Sequence, residues 1–198
     1  MISKRITQPL ALSLAAVSAA VVLSACGSMA PMMSTYSQDS LPDSIKVPMG
    51  NKVAMETVCV GEITYECRDK APSAGMTAGM TEWVFVGPNA VLNDRSGKQV
   101  GKYYGPPATW ESMDGSKLTA VQLAVAPSGA GNLPYQLVKA NPATNNVMGS
   151  SGMMTGVTYI QRVALKGGVA PASMCSPANK GAKETVKYQA DYIFWKAV

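Results

Sequence analysis

From residue 45 onward apolar residues come in short runs, often alternating with polar ones, and Gly, Pro, Asn and Asp punctuate the runs. Such a rhythm predicts strands and turns. Alternation is clearest near the end, where Tyr188, Ala190, Tyr192 and Phe194 fall on one face and Lys187, Gln189, Asp191 and Ile193 on the other. Similar runs predict strands over 52–67, bent at Gly61, and over 82–86, 90–93, 99–104, 117–126, 135–140, 156–165 and 185–196. NDRSGKQ (93–99) has the composition of a hairpin turn, and NPATNN (141–146) and LKGGVAP (165–171) break the chain elsewhere. No long amphipathic helix is written into this pattern. About eight strands between residues 45 and 198 predict a single all-β domain, an antiparallel sandwich or a partly closed barrel.

The first 25 residues follow a different logic. Lys4 and Arg5 precede an apolar run from Leu10 to Leu23, and LSAC (23–26) ends it with small residues directly before a cysteine. Basic, apolar, then small is the order of a secretory signal. The run is broken by Ser13 and Ser18 and is shorter than the ~20 residues of a spanning helix. LSAC resembles the lipobox of bacterial lipoproteins, which implies lipidation of Cys26 and cleavage just before it. Residue 27 is Gly rather than Asp, which resembles outer-membrane cargo facing the periplasm. Residues 26–44, polar and small with Pro31 and Pro42, read as the lipidated cysteine and a flexible tether. The membrane, reached through the lipid on Cys26, is therefore the first expected partner.

Removing residues 1–25 from the 198 leaves 173, enough for one core that buries about two-thirds of the unfolded surface. Loss of Lys4 and Arg5 takes the formal charge from +5 to +3. The remaining cations, such as Lys98, Lys102, Lys117 and Lys139, are scattered singly, so no stripe exists to follow a nucleic-acid backbone. Histidine is absent from the chain. That excludes Ser-His-Asp and Cys-His catalysis and His-ligated zinc or haem. No phosphate-binding loop or dinucleotide fingerprint occurs either. No cofactor is expected.

Three cysteines follow Cys26: Cys59, Cys67 and Cys175. An oxidising envelope permits a disulfide, and an odd count leaves one thiol over. Cys59 and Cys67 lie eight apart on one apparent strand, ~26 Å at ~3.3 Å per residue, whereas a disulfide allows ~4.4 to 6.8 Å between α-carbons. If that strand is continuous, Cys175 must take one of them. Cys67 ends its strand beside a loop, whereas Cys59 sits inside the apolar TVCVG, so Cys67–Cys175 is the predicted pair.

Three groups of residues are candidates for chemistry. In TWESMDGS (109–116), Glu111 and Asp114 could serve as the acid and base of a glycan hydrolase, with Trp110 as a stacking platform. The same stretch also reads as a hairpin, because Asp-Gly is a turn dipeptide and aspartate bonds its own backbone. Tyr103, Tyr104 and Trp110 flank the proline loop GPPAT (105–109) and could wall a pocket for a glycan or apolar ligand, although aromatic residues in all-β domains are commonly core. Methionines are unusually frequent in apparent loops: Met29, Met32 and Met33 in the tether, Met76 and Met80, and Met148, Met153 and Met154. Thioethers suit soft cations such as Cu(I), with Met76, Met80, Met153 and Met154 the candidates. Methionine also fills irregular gaps in cores.

The blocks VPMGNKVA (47–54), GEITYEC (61–67), WVFVGPNAVLND (83–94), GKQVGKYYG (97–105), TWESMDGSKL (109–118), VTYIQRV (157–163), GGVAPASMC (167–175) and YQADYIFW (188–195) occur in an order that resembles the domain-of-unknown-function family numbered 3455. The resemblance covers about residues 45–196 and implies no reaction. Its YxC and GGxAPxxxC blocks fall on Cys67 and Cys175, which supports their pairing. Relatives tend to carry a histidine in a GxHY context near Tyr103. Tyrosine stands here, so histidine-dependent chemistry would not carry over. The chain thus reads as an envelope lipoprotein whose β domain is a non-catalytic binding or structural module, with a glycan or an envelope protein as the expected ligand. Two other readings stay open: a hydrolase using Glu111 and Asp114, and a soft-metal binder.

Overall fold

A computed structural model describes residues 36–71, 79–145 and 151–198. Cys26, Met29, Met32, Met33, Met76 and Met148 lie outside the described residues. Eight strands follow one another: β1 (Asn51–Asp69), β2 (Thr81–Asn93), β3 (Gln99–Tyr104), β4 (Thr109–Ser112), β5 (Lys117–Ala126), β6 (Tyr135–Ala140), β7 (Val157–Gly167) and β8 (Lys183–Ala197). Each pairs antiparallel with the next, and β8 returns to β1, closing the sheet into a barrel. A sandwich is thereby excluded. Closure removes the unpaired edges that an open sheet would expose.

Two strands differ in kind from the sequence reading, and β1, β7 and β8 differ from it by one or two residues at their ends. The expected strands 82–86 and 90–93 are one strand, β2, running through Gly87 and Pro88. Proline is tolerated there because β2 pairs with β3 only over Asn89–Asn93, so the missing N–H of Pro88 falls where β2 parts from β3. β4, four residues long, was hidden in the apparent turn stretch. Four residues are too few to display a period. Gly61, where the first strand was expected to bend, lies within the continuous β1 opposite Ala90, and a Cβ on it would stand 2.4 Å from the Ala90 α-carbon. Only glycine permits this approach.

Side chains fill the barrel interior. Ile63, Leu92, Ile160, Leu165, Met154 and Phe194 pack with an aromatic group in which Tyr103 stacks on Trp110 at 4.7 Å and Tyr192 meets both rings. Tyr188, Ala190, Tyr192 and Phe194 all point inward, as their alternation predicts. Cys59 is buried here as a free thiol, and burial pushes its pKa up to about 12, which leaves it unreactive.

The barrel also has a second core on its outside. Ile45 and Val47 cover Leu137, Val163, Ile193 and Trp195. The chain from Tyr36 to Val47 is therefore docked rather than free, and of the expected tether the described residues 36–44 are part of the domain. Ile193 shares a face with Lys187 and Asp191 yet is buried, because this segment lies over it. The buried Gln161 amide is the hub: its oxygen accepts from Tyr36 Oη (3.1 Å) and Trp195 Nε1 (2.9 Å), and its nitrogen donates to Gln38 Oε1 (3.0 Å) and Ile45 O (2.7 Å).

Candidate functional site

Strand alternation separates the residues of TWES. Trp110 points into the barrel, whereas Glu111 points outward beside Tyr104 and Lys102 on β3. Tyr104 Oη donates to Glu111 Oε2 at 2.7 Å, and Lys102 Nζ lies 3.2 Å from Oε1. The Tyr104 hydrogen bond, followed by Lys102, holds the Glu111 carboxyl below its usual range. Asp114 sits in the β4–β5 turn, where Oδ1 accepts from the Ser116 N–H (2.9 Å) and hydroxyl (2.6 Å) and Oδ2 from the Met153 N–H (2.6 Å). Those bonds, the Ser116 hydroxyl first, lower its pKa as well. A glycosidase needs one carboxyl with a raised pKa to protonate the leaving oxygen. Neither group meets that need, and Trp110 is on the other side of the wall from Glu111.

The aromatic candidates divide in the same way. Tyr103 and Trp110 belong to the core, although Trp110 Nε1 has no hydrogen-bond partner among the described residues. Only Tyr104 reaches an outer hollow, of about 180 Å³, shared with Thr109, Lys117, Pro142 and Thr144. Among the methionine candidates, Met154 is 1% exposed inside the barrel, whereas Met153 is on the surface. Met80 precedes Thr81 at one end of β2, and Met153 borders the hairpin at the other end, where Gln99 lies. Twelve steps of ~3.3 Å put those ends ~40 Å apart, too far to share an ion.

Cys67 and Cys175 do pair, with α-carbons 5.4 Å apart. The bond closes over β1 the loop 168–182, which is otherwise held by polar contacts such as Trp83 Nε1 to Ser173 O (2.8 Å) and Thr81 Oγ1 to Cys175 O (3.0 Å). β1 continues unbroken from Cys59 to Cys67, the condition that forbids their mutual pairing.

A much larger concavity lies on the outer wall, where β1, β2, β7 and β8 run side by side. It measures about 780 Å³; Val60 and Val91 are partly exposed in it, and Glu62, Asn89, Lys166, Lys187 and Gln189 carry its polar groups. Glu62 stands opposite Lys187 in the ladder, and Lys166 opposite Gln189. Neither lysine has an ion-pair partner among the described residues. Sequence reasoning missed this groove because its residues come from four separated stretches of the chain, 60–62, 89–91, 166–167 and 187–189. The only local signals are glycines inside strand patterns, Gly61 and Gly167, the latter at φ 68°.

Of known families, the model described as "Protein of unknown function (DUF3455)" matches residues 48–196, most of the chain and all eight strands but the last residue of β8. The chain belongs to the DUF3455 family. No curated protein and no solved structure matches it. The DUF3455 match covers both halves of the disulfide and every residue of the groove, and begins at Pro48, just after the docked segment 36–47. It assigns no activity to any of these.

Proposed function

We propose that this protein is a lipid-anchored module of the bacterial envelope that binds, without catalysis, an anionic ligand in the groove across β1, β2, β7 and β8. The observation that carries this reading is the groove's charge: two lysine ammonium groups without carboxylate partners among the described residues face one carboxylate, Glu62, over an apolar floor of Val60 and Val91. An ammonium group without an internal partner is satisfied by water or by an incoming anion. The apolar floor adds affinity by desolvation. The carboxylates at 111 and 114 are spent on internal contacts, which supports binding over hydrolysis. The lipid anchor rests on the LSAC sequence at 23–26.

Two measurements test the two halves. Cys26→Ser should move the protein from the membrane fraction to the soluble fraction of the envelope; undiminished membrane retention would refute lipid anchoring. A photoreactive amino acid at Gln189 of the full-length, membrane-held protein should capture an adduct that Lys166→Glu/Lys187→Glu reduces at least tenfold. Labelling that survives this charge reversal, or that is as strong from Lys139 on β6, would sink the groove as the site.

A further inference from the structure

The end of the barrel that carries the β2–β3 and β4–β5 turns gathers methionines that sequence spacing does not connect. Met55 of β1, Met113 of the β4–β5 turn and Met153 of the β6–β7 connection line one pocket of about 260 Å³, together with Val100, Asp114 and Lys98. Met113 and Met153 are 69% and 52% exposed, so neither thioether is a core filler. The backbone holds each of the three in place. Met55 sits in the ladder opposite Phe194, the Met113 N–H donates to Val100 O at 2.9 Å, and the Met153 N–H donates to Asp114 Oδ2. The loop carrying Met153 comes this close because its neighbour is glycine: a Cβ on Gly152 would stand 2.4 Å from Ser116 Cβ.

We propose that Met55, Met113 and Met153 form a binding site for a soft monovalent cation, Cu(I) or its analogue Ag(I). Thioether sulfur is neutral and polarisable, binds such d10 ions, and leaves Zn(II), Mg(II) and Ca(II) to harder ligands. The three methionines come from separate segments whose backbones are fixed by hydrogen bonds or ladder pairing, Met55 packing against the interior core and Met113 and Met153 open to solvent, so an ion entering the pocket would meet sulfur without thiol or imidazole ligands. Asp114 has both oxygens occupied by hydrogen bonds, so its part is to position Met153 and to supply negative charge that offsets Lys98 at the rim. This site is independent of the groove, and either can fail alone.

The test uses full-length protein in detergent with methyl-13C methionine and Ag(I), which needs no reductant and so leaves Cys67–Cys175 intact. A Cys59→Ala background removes the buried thiol as a competitor. The methyl resonances of Met55, Met113 and Met153 should shift together and saturate at one equivalent, while the exposed Met49 and Met174 stay unmoved. Met113→Leu/Met153→Leu keeps the apolar volume and should weaken Ag(I) at least 100-fold. The proposal is overturned if Met49 and Met174 shift as much as the three, if the leucine variant binds equally well, or if no resonance moves at micromolar Ag(I).

Discussion

Replacing both Cys67 and Cys175 by alanine should lower the melting temperature of the domain by roughly 10 °C. The bond joins residues 108 apart in sequence, so it constrains most of the unfolded chain. In the chain-entropy account a closed loop of that size contributes about 4 to 5 kcal/mol, with measured cases spreading over about 2 to 5. For a domain of this length each kcal/mol corresponds to about 2 to 4 °C. Local packing offers little compensation, because residues 169–182 bury no side chain and reach β1 and β2 through polar contacts. Thermal unfolding of the double variant against wild type decides it: a shift under 2 °C would mean that these contacts suffice to close the loop. The same comparison by denaturant should show a lower midpoint, and amide exchange in 168–182 should quicken most.

What could be read from the sequence was local. The bounds of β3, β5 and β6 coincide with 99–104, 117–126 and 135–140, since each is a short β-branched run between turn residues. The inward face of β8 and the pairing of Cys67 with Cys175 also followed, from period-2 alternation and from the length of a strand. Features that depend on distant segments were not legible. β4 is held by partners on both sides rather than by its own four residues, and β2 runs through Gly87-Pro88 because β3 ends there. Closure depends on β1 meeting β8, more than a hundred residues away. The candidate sites followed the same rule. Adjacent residues such as Trp110 and Glu111 looked like partners in sequence and lie on opposite faces, whereas the residues of the groove and of the methionine pocket meet only after closure.

Gln161→Leu should destabilise the domain by about 3 kcal/mol or more, although leucine matches the glutamine in size and the site is fully buried. An amide has two N–H donors and two acceptor lone pairs, and Gln161 uses all four, on Tyr36, Trp195, Gln38 and Ile45. Leucine would strand the buried Trp195 N–H and Ile45 carbonyl, each costing ~1 to 3 kcal/mol, while Tyr36 and Gln38, nearer the surface, can turn to water. The way the loss is expressed separates two pictures of the outer core. If the 36–47 segment and the barrel unfold as one unit, the whole melting curve shifts and amide exchange rises everywhere. If the segment is its own cooperative piece, exchange at Ile45 and Val47 rises first, and Ile193 and Trp195 become exposed while the interior strands stay protected. The second outcome is expected, because Ile45 and Val47 are the segment's only fully covered apolar anchors among the described residues and the barrel ladder closes without them. A melting temperature within 2 °C of wild type and unchanged exchange at Ile45 would show that apolar contact alone holds the segment, and that the glutamine hub is dispensable.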